Sequence, residues 1–397
     1  MSNADPFLDW IIFYLMIFSM KKALLFFFVF SLQLGIALAQ KQKVSFKDSL
    51  DQKLDLSDWV LTAHGFIPFP SIITEPALGG FGGALFGVFV DPNTPYRDSV
   101  DGKEVLTRVK PNIYGAGGAM TVNGTWMLGA AAIGVIKKWR SNYRLVTGYA
   151  DVNLEFYRTF EQLGERTFEF NIRTIPIMGQ LTKQVGKSDW YAGLNYLFLK
   201  TDLGLTNYDF HDDKAISAII SRPSVLIEYD GRDNIFTPDR GLHWTNLIGT
   251  SAEWLGSEYS YGLVSTTAFY WLPVTSTLIS GFRVEAQNLW GNAPFYVLPF
   301  VNLRGIPVAR YQGNTTATAE TEWRWDFSPR FSVVGFVGTG KAVLKEDSWG
   351  DESWKTSGGA GGRYLIARKL KLRMGIDIAR GPEEWAYYFV FGTSWRK

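Results

Sequence analysis

The strongest constraint on this chain is a hydrophobic period of two, held over segments longer than ordinary strands. In residues 370–378 the even positions are Leu370, Leu372, Met374, Ile376 and Ile378, and the odd ones Lys371, Arg373, Gly375 and Asp377. In residues 319–327 the odd positions are Ala319, Thr321, Trp323, Trp325 and Phe327, and the even ones Glu320, Glu322, Arg324 and Asp326. Alternation of this kind marks strands with one apolar and one polar face. Globular strands mostly run about five or six residues, whereas tilted bilayer-spanning strands run about 9–11. Only a closed barrel lets such strands cross a bilayer with every backbone group satisfied.

Sixteen segments are legible: 65–74, 79–90, 110–121, 125–137, 142–159, 165–182, 188–203, 222–230, 241–254, 259–273, 276–291, 314–328, 330–343, 357–368, 370–380 and 385–396. The fold class is therefore all-β, a transmembrane antiparallel β-barrel of sixteen strands. Asn123-Gly124 suits a two-residue hairpin turn. Longer connections fall at 91–109, 204–221, 292–313 and 344–356. Trp139, Trp190, Trp254, Trp271, Trp290 and Trp385 stand near strand ends, where aromatic girdles meet the two interfaces. A secreted all-β protein, its polar faces in bulk water, is the competing architecture.

The N-terminus fits export. Met20-Lys21-Lys22 is a basic start, residues 23–36 are apolar, and Ala37-Leu38-Ala39 is a cleavage site. Residues 1–39 are thus expected to be a signal region with its start at Met20. Residues 40–64 are expected to be a short polar periplasmic linker, and 65–397 the barrel. A membrane anchor is the alternative, but WIIFYLMIFSM is about half the length of a spanning helix.

Composition excludes several functions. The net charge is +2 and no basic patch stands out, which argues against nucleic acid. There is no cysteine, so no disulfide framework or thiolate chemistry. His64, His211 and His243 lack metal-ligand spacing, and no cofactor or metal is expected. Residues 335–342 approach a phosphate-binding loop, but Ala342 replaces the hydroxyl and the stretch reads as strand. No serine near His243 has a triad context, so no enzyme is expected.

Residues 302–314, NLRGIPVARYQGN, join two strands through a connection too apolar to hang in water. Folded back into the lumen, Arg304 would be desolvated and need an acid. Glu320 and Glu322 lie on the polar face of the next strand. Gly305 would give the sharp turn presenting Arg304. A solvated surface arginine is the alternative.

Leu303-Arg304-Gly305-Ile306 with Tyr311-Gln312-Gly313-Asn314 resembles the lumen-loop signature of the Omp85 superfamily, in its BamA/TamA-like branch (the D15 surface antigen group). Tyr229-Asp230-Gly231-Arg232-Asp233-Asn234 with Phe236, Pro238 and Gly241, Glu322-Trp323-Arg324, and the last strand from Tyr387 to Trp395 are similar to further family segments. The resemblance covers residues 225–397 well and earlier strands by pattern only. It implies a lumen loop locked by Arg304 against Glu322, in the outer membrane of a Gram-negative-type bacterium. It also implies a role in inserting other barrels or moving polypeptides, with outer-membrane lipid, client proteins or assembly subunits as partners. A passive pore and a structural barrel subunit are the alternatives.

Three departures stand out. Ile306 replaces an aromatic residue, Gly338 stands where many members carry a second acid, and residues 40–64 cannot hold a POTRA domain. Finally, Pro68 and Pro70 lie in the first strand. Proline belongs on sheet edges, so a weakly bonded seam is expected there, closing against the last strand with Trp395.

Overall fold

The computed structural model describes residues 45–62, 65–91, 96–100, 103–107, 112–160, 164–205 and 216–395. The signal region lies outside the described residues. The barrel and the segment leading into it belong to one compact unit that begins at Phe46.

Its strands are β1 (Gly65–Ile73), β2 (Gly82–Asp91), β3 (Tyr96–Val100), β4 (Lys103–Thr107), β5 (Asn112–Thr121), β6 (Trp126–Ile136), β7 (Ser141–Phe160), β8 (Gly164–Gln184) and β9 (Trp190–Leu205). They continue as β10 (Ile216–Asp230), β11 (Gly241–Ser251), β12 (Tyr261–Pro273), β13 (Leu278–Gly291), β14 (Thr315–Trp325), β15 (Phe331–Val343), β16 (Lys355–Ala367), β17 (Leu372–Arg380) and β18 (Trp385–Phe391). Sixteen of them form one sheet in the order β1-β2-β5 and then sequentially to β18. All neighbours are antiparallel, and the sheet is a nearly closed barrel. β3 and β4 form a separate two-stranded hairpin inside the connection at 91–109.

The burial pattern is inverted relative to a soluble protein. Along β15 the exposed positions include Phe331, Val333 and Val337, while Ser332 and Val334 between them are buried. Along β14, Trp323 and Trp325 are exposed, and Glu320 and Arg324 are buried. Arg283, Glu285, Lys341, Arg363 and Asp377 are buried too. Charges thus gather on the inner face and apolar side chains point outward, as a lipid-facing wall requires.

Up-and-down topology gives the barrel two ends. One carries the segment before β1 and the connections after β2, β6, β8, β10, β12, β14 and β16. The other carries the remaining connections, including 292–314 and 344–354. The 91–109 connection therefore opens at the opposite end from the other long ones.

Several boundaries differ from the sequence expectation. β10 begins at Ile216 and not at 222, with Pro223 inside it. The β10–β11 ladder starts at Ser224, so one side of the strand has no ladder partner at the proline. The turn at Asn123-Gly124 has three residues, because Thr121 N–H donates to Thr125 O at 2.9 Å, with Gly124 at φ 84°. Trp139, Trp190, Trp254, Trp290 and Trp385 are exposed, but Trp271 is buried. It shares the inner face of β12 with Phe269, and a strand apolar on both faces hides which side is inward.

β1 and β18 stand at the two ends of the sheet order, and no ladder pairs them among the described residues. They meet through the Phe69 and Phe391 rings, 4.7 Å apart edge to face, and through the Thr74 hydroxyl donating to Tyr387 O. Pro68 and Pro70 lie in β1 opposite Gly87 and Leu85 of β2. Trp395 is not on this seam. β18 stops at Phe391, Gly392 adopts φ 76°, and the chain turns inward, burying Trp395 against Phe269 and Trp271.

Candidate functional site

The connection between β13 and β14 is a narrow inward hairpin. Phe300 bridges Gln312, Val301 N–H donates to Tyr311 O at 2.9 Å, and Gly313 N–H donates to Pro299 O at 3.0 Å. Val301, Leu303 and Ile306 are buried together, with Tyr311 and Ala342 against them. Ile306 thus fills an apolar cluster. Gly338 makes room for the same cluster: a Cβ there would lie 2.6 Å from a Leu303 methyl carbon.

The apex presents Arg304 to three carboxylates. Nη2 donates to Glu320 Oε1 at 2.7 Å and Nε to the same oxygen at 3.1 Å. Nη1 donates to Glu322 Oε2 and to Asp377 Oδ2, each at 2.7 Å. The guanidinium carbon sits 3.4 Å from the Phe336 ring centre. Burial opposes the charge, but the three carboxylates outweigh it and hold the Arg304 pKa above the usual arginine value.

Gly305 has φ 90°, and a Cβ there would come 2.8 Å from Gly381 N, so only glycine fits the turn. Its N–H donates to the Tyr388 hydroxyl of β18 at 2.9 Å.

The network extends outward. Glu320 Oε2 also accepts from Arg283 at 3.1 Å and from the Trp395 indole at 2.7 Å. Arg283 reaches Glu285 at 2.8 Å, and Arg363 Nη2 reaches Asp377 at 3.0 Å. Ser394 donates to Glu322 at 3.1 Å. Charge-assisted bonds of this kind, linked in a network, fix one geometry, although the buried Arg283 Nε has no partner among the described residues. Sequence reasoning named Glu320 and Glu322 but missed Asp377 and the inward Trp395. Asp377 was visible as a polar-face residue of β17, but nothing local told that it would meet Arg304.

The hairpin also touches both sides of the seam. Val308 N–H donates to Glu75 Oε1 at 2.9 Å, just after β1. On the other side, Arg304 holds Asp377 of β17 and Gly305 holds Tyr388 of β18. The Tyr311 hydroxyl donates to Glu383 in the β17–β18 turn.

At the opposite end, the turn after β10 is built by its own side chains. Asn234 Oδ1 accepts from the N–H groups of Phe236 and Thr237, each at 2.8 Å, and Asp233 accepts from Asp239 N–H at 2.9 Å. Lys371 reaches Asp233 at 2.9 Å and Asp239 at 2.7 Å, and Phe236 O accepts from Thr393 N–H at 2.6 Å. The segment that resembled a strand-end motif therefore reaches the β16–β17 turn and the C-terminal tail.

Among the described residues, one group could offer metal ligands. Glu228, Asp230 and His243 place ligand atoms within 4.8 Å of one another. They are already partnered: His243 Nε2 lies 2.8 Å from Glu228, and Arg232 forks onto Asp230 at 2.7 and 2.9 Å.

With this geometry established, comparison with known proteins is informative about fold. No family model and no curated protein matches the chain. Among solved structures, BamA from Haemophilus ducreyi lacking POTRA domains 1–3 is similar at TM-score 0.56 and 12% identity, over 82% of this chain and 69% of that one. The fold is that of the BamA and CdiB barrels. CdiB from Escherichia coli gives TM-score 0.58 and 11% identity over 81% of this chain, which spans 61% of its length. CdiB from Acinetobacter baumannii gives 0.52 and 8% over 89% of this chain and 72% of that one.

Proposed function

We propose that this protein acts in the outer membrane on other polypeptides, taking part in the insertion of barrel proteins or their translocation. The observation that carries the reading is the seam. β1 and β18 lack ladder pairing among the described residues, β18 has only 7 residues and β1 only 9, and β1 contains Pro68 and Pro70. An edge with free backbone groups is a template for an incoming strand. Short strands at the seam also present a thin apolar wall, and mismatch there thins the bilayer locally.

Arg304 is the latch in this mechanism, with Leu303, Gly305 and Ile306 shaping its approach and Glu320 and Glu322 receiving it. The latch holds the hairpin that bridges the two sides of the seam. No covalent chemistry is involved. Free energy for insertion comes from strand pairing and from burying the client's apolar face in lipid.

The deciding experiment is depletion, with quantification of every other barrel in the outer-membrane fraction. A broad fall with periplasmic accumulation of unfolded barrels is the expected result. Unchanged levels overturn the assembly reading, and open-channel conductance in planar bilayers then marks a passive pore.

A further inference from the structure

Residues 46–55, ahead of the barrel, form a small hairpin of their own. Lys47 bridges Leu54, Asp48 N–H donates to Lys53 O at 3.0 Å, and Asp55 N–H donates to Phe46 O at 2.9 Å. One face of this strap is acidic and grips the barrel. Arg330, fully buried in the β14–β15 turn, is held by Asp48, by Asp51 at 2.5 Å and by Asp55 at 2.6 Å. Arg368 Nη2 reaches Asp48 at 2.9 Å.

The strap also carries large apolar side chains that stand exposed among the described residues. Phe46, Leu50 and Leu54, spaced four apart, are 50%, 75% and 52% exposed. A segment pinned by three carboxylates has no need of three large apolar side chains in water, and each would gain by leaving it. The strap also abuts the outward wall. The Tyr364 hydroxyl donates to Leu54 O at 2.8 Å, Tyr364 packs edge to face on Phe331 at 5.1 Å, and Lys53 Nζ lies 6.0 Å from the Phe331 ring centre. Phe331 opens the exposed apolar row of β15.

We infer that the strap is a membrane-surface anchor, in which Phe46, Leu50 and Leu54 enter the acyl boundary of the phospholipid leaflet around this end of the barrel while the acids hold Arg330. The partner is a lipid surface, identified by continuity with the apolar wall and by Lys53 beside that wall, where a long cation spans from apolar surface to headgroups. The inference rests on membrane placement of the barrel and not on any action upon polypeptides.

The test uses the natural absence of cysteine. The full chain carrying Leu50→Cys, Leu54→Cys, Gln52→Cys or Val337→Cys is labelled with an environment-sensitive fluorophore and reconstituted in phosphatidylcholine–phosphatidylethanolamine vesicles. Nitroxide-bearing phosphatidylcholine is expected to quench the probe at 50 and 54 several-fold more than at 52, with aqueous iodide showing the reverse order. Val337 on the outward wall reports barrel placement. A quenched wall with a lipid-inaccessible, iodide-accessible strap overturns the anchor alone. Protection of the strap from both quenchers also overturns it, pointing to a second copy as the cover. An unquenched wall overturns the placement and the anchor together.

Discussion

Arg304 Nη1 and Asp377 Oδ2 lie 2.7 Å apart although 73 residues separate them in the chain. The same guanidinium holds Glu320 and Glu322 of β14, so one side chain ties the hairpin apex to two strands that are not neighbours in the sheet. Arg304→Ala should leave the sheet intact and free the hairpin. Removing one partner of a buried ion network typically costs about 3–5 kcal/mol, because the other charges stay buried. The variant should unfold at lower temperature and be cut by protease between residues 299 and 313. A double-mutant cycle with Asp377→Asn should show coupling of about 0.5–3 kcal/mol. Additive effects would mean that the contact carries no coupling.

Glu75 predicts a pH dependence at the loop end. Burial raises its pKa, and the N–H groups of Val308 and Ala77, which favour the carboxylate, offset this only in part. A raised carboxyl pKa means that the folded state binds the proton more tightly than the unfolded chain. The contribution is fully present below the unfolded value and lost as pH rises through the folded one. Wild-type stability should therefore decline across that window above pH 4.5. Glu75→Gln, uncharged and still an acceptor for Val308, should be flat there. Thermal melts between pH 4 and 8 make the comparison, and parallel curves would remove Glu75 from the account.

The strap predicts the opposite sign. The hydrogen bond from Arg368 holds the Asp48 carboxyl well below its usual range, and that from Arg330 lowers Asp51. Burial pushes Asp55 up, but hydrogen bonds from Ser57 and Arg330 leave it lowered as well. Depressed carboxylates stabilise above their unfolded value and lose that contribution as pH falls through the folded one. The strap should therefore stay seated at pH 5 and be released only below the ordinary aspartate value of 3.8. Arg330→Ala should release it at neutral pH, read as protease cleavage within residues 46–55. Resistance of that variant would show that the acids are not what holds the strap.

Features set by near neighbours were legible in the sequence, and features set by distant ones were not. The span 330–343 was legible because period two needs only neighbouring residues, and β15 runs from Phe331 to Val343. β3 and β4 were not, because each has five residues and mixed charge, which reads as loop. Arg304 and its acids on β14 were legible because 16 and 18 residues separate them. Asp377 was only a polar-face residue until the sheet curved to bring β17 round. The strap read as linker because its partner Arg330 lies 275 or more residues away. Trp395 read as strand because nothing local distinguishes an apolar residue that continues β18 from one that turns inward after Gly392.

The seam gives the last prediction. Phe69 of β1 and Phe391 of β18 have ring centres 4.7 Å apart, and no other cysteine would compete for a thiol reagent. Phe69→Cys with Phe391→Cys, joined by a short thiol-to-thiol crosslinker, closes the gap that the sheet order leaves between its two ends. The locked barrel should still fold, since the link joins groups already in contact. If an incoming strand must pair with the β1 edge, the locked protein should lose insertion of client barrels, and a reducible linker should restore it on reduction. Each single variant treated with the same reagent should retain activity, which separates locking from loss of the aromatic contact. Full activity in the locked form would rule out lateral opening, and the Arg304 hairpin would then serve only to fill the barrel.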